Sequence, residues 1–135
     1  MKPNFTGNWI ENRSSGIDNY LKAIGIGWLQ RKVIVNLNFK MKNIIIHTDN
    51  EWQIKTQVGS KIVDESNLKI NEINSIKKND KIISYNLFWS ENTLVTEISG
   101  ERPTIIKRTL ENGTMKLIMK DKITDTEMTR WFILE

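Results

Sequence analysis

Two arginines stand inside otherwise apolar alternation. Thr104, Ile106, Arg108 and Leu110 fall on one parity of one stretch, and Met128, Arg130, Phe132 and Leu134 on one parity of another. If those parities face inward, they carry two guanidinium groups that do not deprotonate. An isolated buried charge is expensive, so each needs an anion or ordered water. Few acidic residues occupy the neighbouring inward positions. A ligand carboxylate would supply the partner through a bidentate, charge-assisted pair. The pattern equally allows both arginines to face solvent, the commoner place for arginine. Other chemistry has little to work with. The chain holds no cysteine and one histidine, His47, which lacks the patterned acidic partners of a metal site or a triad. No catalytic residue, metal or cofactor is expected.

The 135 residues, 39% hydrophobic and 27% charged, suit one domain over 1–135 with a substantial core. The formal net charge of +4 is compatible with anionic membrane surfaces or anionic ligands. It is too small and too dispersed to argue for nucleic acid. No run of about 18 apolar residues is present to span a membrane. Met1 to Phe5 lacks the apolar core of a signal peptide, and the absence of cysteine rules out disulfides and thiolate chemistry. Both facts allow an intracellular location.

The elements that must position the arginines are mostly strands. One stretch, about 15–35, reads as a helix pair instead. Ile17, Tyr20, Leu21 and Ile24 recur at helical spacing, and Ser15 with Asp18 three residues on has the form of a capping box. Gly25 and Gly27 interrupt the pattern, and Ile26, Leu29 and Val33 then line one side of a second helix. A small helical cap over a β structure suggests a lid. Elsewhere short strands follow at close spacing. Trp52, Ile54 and Thr56 alternate, as do Ile83, Tyr85, Leu87 and Trp89. Leu68 and Ile70 share a face that Ile73 and Ile76 break, which predicts a bulge. Asn112-Gly113 is the strongest hairpin signal. Trp9, Trp28, Trp52, Trp89 and Trp131 are most simply packing residues. Ten strands in up-and-down order fit a closed barrel or a sandwich.

The wording of two segments selects between these. Asp18 to Lys32, DNYLKAIGIGWLQRK, resembles the helical segment of the intracellular fatty-acid-binding and retinoid-binding proteins, and Phe5-Thr6-Gly7-Asn8-Trp9 is similar to their opening strand. The likeness extends over nearly the whole chain. It implies an all-β fold: a ten-stranded antiparallel up-and-down β-barrel, or clam, capped by the helix-turn-helix lid and filled by a lipid. Thr129-Arg130-Trp131-Phe132 resembles the family's closing Arg-x-Tyr motif, and Ile106-Lys107-Arg108 the strand with its other inward arginine. Carboxylate binding is carried over to Arg108 and Arg130 on that basis. Phe132 departs from the family tyrosine, whose hydroxyl shares the carboxylate, so the head group would sit closer to Arg108 or be held through water. Family positions that line the cavity or its entrance fall on Ile17, Tyr20, Leu21, Ile26, Thr56, Asn79, Lys81, Ile106 and Leu117. Asn79 and Lys81 replace the family's usual Asp and Arg.

Lys22, Arg31 and Lys32 match a basic trio on the family's lid, which implies contact with anionic membranes during transfer, or nuclear import. As a bare charge cluster they read as a solvated helix face. The resemblance implies a monomeric cytoplasmic carrier, also allowed in the nucleus, for a long-chain fatty acid or similar hydrophobic carboxylate. The rivals are a retinoid or other hydrophobic-ligand carrier on the same fold, a membrane-stacking structural member, and an isomerase acting on a bound lipid. The absence of cysteine, and of histidine near the inward arginines, stands against the last.

Overall fold

A computed structural model of the chain describes residues 2–36 and 40–135. The chain opens with β1 (Gly7–Ser15), then the lid helices α1 (Ile17–Ala23) and α2 (Trp28–Asn36). Nine strands follow: β2 (Met41–His47), β3 (Glu51–Val58), β4 (Lys61–Lys69), β5 (Glu72–Lys78), β6 (Lys81–Ser90), β7 (Thr93–Ser99), β8 (Thr104–Glu111), β9 (Thr114–Asp121) and β10 (Thr126–Leu134). They form one antiparallel sheet in the order β4-β3-β2-β1-β10-β9-β8-β7-β6-β5. Pairing of β1 with β10, from Trp9↔Leu134 to Ser15↔Thr129, curls the sheet into the expected barrel.

The closure is incomplete. No ladder joins β4 to β5 among the described residues, so the fully closed barrel read from the sequence is corrected to a nearly closed one. Side chains span the opening instead. The Asn74 side chain receives the Lys69 amide at 2.8 Å and donates to the Lys69 carbonyl at 3.0 Å. Lys78 of β5 pairs with Asp64 of β4 at 3.0 Å.

Asn112 and Gly113 both adopt positive φ, 51° and 77°, the signature of a type I′ hairpin, as their dipeptide predicts. The parity break after Ile70 is a turn, not a bulge: Ile70 and Asn71 separate β4 from β5, and Asn71 takes the left-handed backbone, φ 66°. The register shifts lie elsewhere, between Glu11 and Arg13 and between Thr56 and Gln57. The capping box at Ser15 is also corrected. β1 runs through Ser15, α1 starts after Gly16 in the left-handed region (φ 76°), and no side chain caps it. A Cβ at Gly16 would stand 3.0 Å from the Glu127 carbonyl oxygen, so the chain enters the lid through a position that only glycine fits easily.

The core lies between the strands, away from the lid. Phe5, Trp9, Trp52, Leu94, Met115 and Phe132 are buried together. Phe5 packs edge-on to Trp52 and is stacked on Trp89, with ring centroids 5.7 and 6.1 Å apart. Trp131 lies on the outer face under the guanidinium of Arg13, 3.9 Å from the ring centroid. Trp28 does not pack as expected. It is 64% exposed, Leu29 69%, and Val33 is exposed too, so the apolar side of α2 read from the periodicity faces solvent. Ile26 lies in the α1–α2 connection.

Candidate functional site

Alternation delivers most of the inward residues as the parity predicts; Leu134, at the end of β10, is exposed instead. On β8, Ile106 and Arg108 are buried. On β10, Met128 and Phe132 are buried and Arg130 is half-buried. Arg108 and Arg130 both sit opposite Leu117 of the intervening β9. The two guanidinium groups therefore leave the same level of the barrel, two strands apart.

Their surroundings differ. Arg130 already has an acid. Its Nη1 donates to Glu11 Oε2 at 2.6 Å, and the backbone amide of Met41 donates to the other Glu11 oxygen at 2.9 Å. Glu11 follows Trp9 at the same parity of β1 and is buried. The expectation that few acids stand near the inward arginines fails at this position. Arg108 has no such partner among the described residues. It is 7% exposed, its Nε is unpaired, and its guanidinium carbon lies 5.2 Å from the centroid of the Trp52 ring. Burial alone pushes its pKa down to about 10, which leaves it charged at neutral pH.

Arg108 and Arg130 open on a cavity of about 280 Å³ inside the barrel, close to the roughly 300 Å³ at which small-molecule sites begin. Of the residues predicted from the sequence, Thr56, Ile106 and Leu117 line it with them. Phe132 lies in the packed core beneath. Ile17 lines a second cleft beside β1 and α2, which shares Arg130 with the cavity. Leu21 is half-buried on α1. Asn79 holds the β5–β6 turn with φ 50°, and Lys81 pairs with Glu101 at the surface. These residues and Ile26 do not reach the cavity wall in this structure. The wall includes four polar residues the sequence reading did not single out: Asn43, Asp64, Ser66 and Thr96.

The lid is tied to the barrel through polar contacts. Arg102 donates to the Ala23 carbonyl at the end of α1 at 2.7 Å and to Asp121 at 2.9 Å. Asp121 is completely buried and also accepts from the Thr124 amide and hydroxyl at 3.0 and 2.6 Å. Burial works to raise its pKa, but the bonds from Thr124 and Arg102 outweigh it and hold the carboxyl below its ordinary value. Tyr20 of α1 is buried nearby. Burial, then the Asp121 charge, raises its pKa, and a bond with Thr104 opposes them. The basic trio is divided. Arg31 joins the two helices, donating to Asp18 at 3.1 Å and to the Ile26 carbonyl at 2.7 Å. Lys22 and Lys32 are exposed.

The chain was compared with known proteins. No protein-family model matches it. Cellular retinoic acid-binding protein 2 of Rattus norvegicus is 34% identical over 98% of this chain and 99% of its own. Sodium/calcium exchanger regulatory protein 1 of Doryteuthis pealeii is 28% identical, covering 96% of each. Among solved structures, a mutant of the REP1-NXSQ fatty acid transporter superposes with a TM-score of 0.79 at 25% identity, over 96% of this chain and 97% of that one.

Proposed function

Since the chain belongs to the intracellular lipid-binding proteins, we propose that it carries a long-chain fatty acid, with the acyl tail in the barrel and the carboxylate on Arg108. One observation carries this reading: a buried, charged guanidinium, with no acid paired to it among the described residues, opens on the cavity inside the barrel. A carboxylate there gains a charge-assisted hydrogen bond, and each buried methylene of the tail adds roughly 0.8 kcal/mol. Arg130 contributes less, because Glu11 already occupies it. Ile17, Leu21 and Ile26 would meet the ligand only at the mouth. The carrier is monomeric and cytoplasmic in this reading, does no catalysis, and meets anionic membranes briefly through Lys22 and Lys32.

Titration with a fatty acid and the alcohol of equal length tests the head-group assignment. Arg108→Leu should weaken acid binding about tenfold to a hundredfold, the equivalent of roughly 1.5–3 kcal/mol for a hydrogen bond to a charged group. Alcohol binding should barely change. Arg130 is best removed together with Glu11, since a lone buried carboxylate would repel the ligand, and that double variant should lose less. Equal losses for acid and alcohol would show that Arg108 only shapes the barrel. A retinoid carboxylate is the rival occupant, suggested by the names of the relatives. Mass spectrometry of lipid extracted from the purified protein separates the two.

A further inference from the structure

The cavity has a second polar station, on the wall away from Arg108. Asn43 of β2 stands opposite Thr56 of β3, and Thr56 stands opposite Asp64 of β4. All three line the cavity, so they form one row across neighbouring strands. Asp64 is engaged with Lys78. Asn43 is 1% exposed, and its Nδ2 has no hydrogen-bond partner among the described residues. A buried amide left without a partner is destabilising, so the site favours an occupant that satisfies it. The row lies apart from the head-group station. Arg108 stacks over Trp52, and Thr56 is four residues further along β3, about 13 Å at the usual strand rise.

We infer that the preferred ligand carries an oxygen on its chain as well as a carboxylate: a hydroxylated long-chain acid whose hydroxyl meets Asn43 while its head meets Arg108. This rests on the reading above and deepens it. A plain hydrocarbon tail would leave the Asn43 amide unpaired. A hydroxyl both donates and accepts, so it satisfies the amide whichever way round it is turned. The spacing makes the preference positional, since only a hydroxyl well removed from the carboxylate reaches the row.

The test compares stearic acid with hydroxystearic acids in which the hydroxyl is moved along the chain, by competitive titration on the whole protein. One or two distal positions should bind roughly fivefold tighter than stearic acid, the equivalent of ~1 kcal/mol for a net neutral hydrogen bond. Positions near the carboxylate should bind more weakly than stearic acid. Asn43→Leu, close in size, should abolish the distal preference and bind stearic acid at least as well. The positional scan on the unaltered protein stands even if that variant folds poorly. Stearic acid that binds through Arg108 with no positional preference would overturn this inference alone and leave the amide to an ordered water. A preference that survives Asn43→Leu would also overturn it. If neither acid class binds, both readings fall.

Discussion

The two inward arginines make opposite predictions for the empty protein. Arg108 is a buried charge without an acid partner among the described residues, and replacing such a group with an apolar one is often neutral or stabilising. Arg108→Leu should therefore raise the melting temperature of ligand-free protein while it lowers acid affinity. Arg130 belongs to a pair, and removing one partner of a buried pair typically costs about 3–5 kcal/mol. Glu11→Leu and Arg130→Leu should each lower the melting temperature, and the double variant should recover most of the loss. Additive losses in the double would mean that the pair is not coupled. His47 supplies a pH dependence. Its Nδ1 accepts the Phe5 amide at 3.2 Å, and burial pushes its pKa below 6.5, with Asp49 opposing. Below 6.5 the unfolded chain takes up a proton that the folded one refuses. Stability is thus full above that value and falls as pH drops toward the depressed folded value. Melting curves between about pH 7 and 5 should show the fall, and His47→Phe should flatten it. At this scale alternation is legible: Ile106, Arg108, Met128 and Phe132 point inward as read. The partners are not. Parity places Glu11 and Asn43 inward, but the strand pairing decides their neighbours: Asn43 falls opposite Thr56, and Glu11 falls opposite Phe132, from where its side chain reaches Arg130 two residues back along β10.

Single elements explain where the sequence misled. Helical spacing of Leu29 and Val33 identifies α2 correctly, yet it reports periodicity and not the direction the face points. Both are exposed because α2 stands over the barrel without packing into it. Ser15 has the chemistry of a cap, but its pairing with Thr129 draws it into β1. The resemblance groups Arg31 with Lys22 and Lys32, and tertiary contacts separate it. Lys22→Ser with Lys32→Ser should slow transfer of ligand to anionic vesicles and flatten its salt dependence, because exposed charges act within a Debye length of about 8 Å. Equilibrium binding should hold. An unchanged transfer rate would reduce the pair to a solvated surface. Arg31→Ser should act differently, loosening the α1–α2 contact and speeding ligand exchange in solution.

On the scale of the whole molecule, ten strands in order along the chain become neighbours in order around the barrel, so nearly all of the topology is legible once hairpins are recognised. The exception is the opening, because nothing local in β4 or β5 announces that they will not pair. Amide exchange should find it. Backbone groups on the facing edges of β4 and β5 should exchange faster than those of β8, β9 and β10, which are paired on both sides. Uniform protection around the barrel would contradict the gap. The same opening bears on solubility. A sheet with two free edges is a template for strands of other molecules, and Ile62, Val63 and Ile73 are exposed on these strands. Lys61, Asp64, Glu65, Lys77 and Lys78 are interspersed among them, charges that would be stranded in any sheet built from one molecule to the next. The chain keeps its barrel ajar beside a hydrophobic margin, and the charges set along that margin oppose growth of the sheet from one molecule to the next.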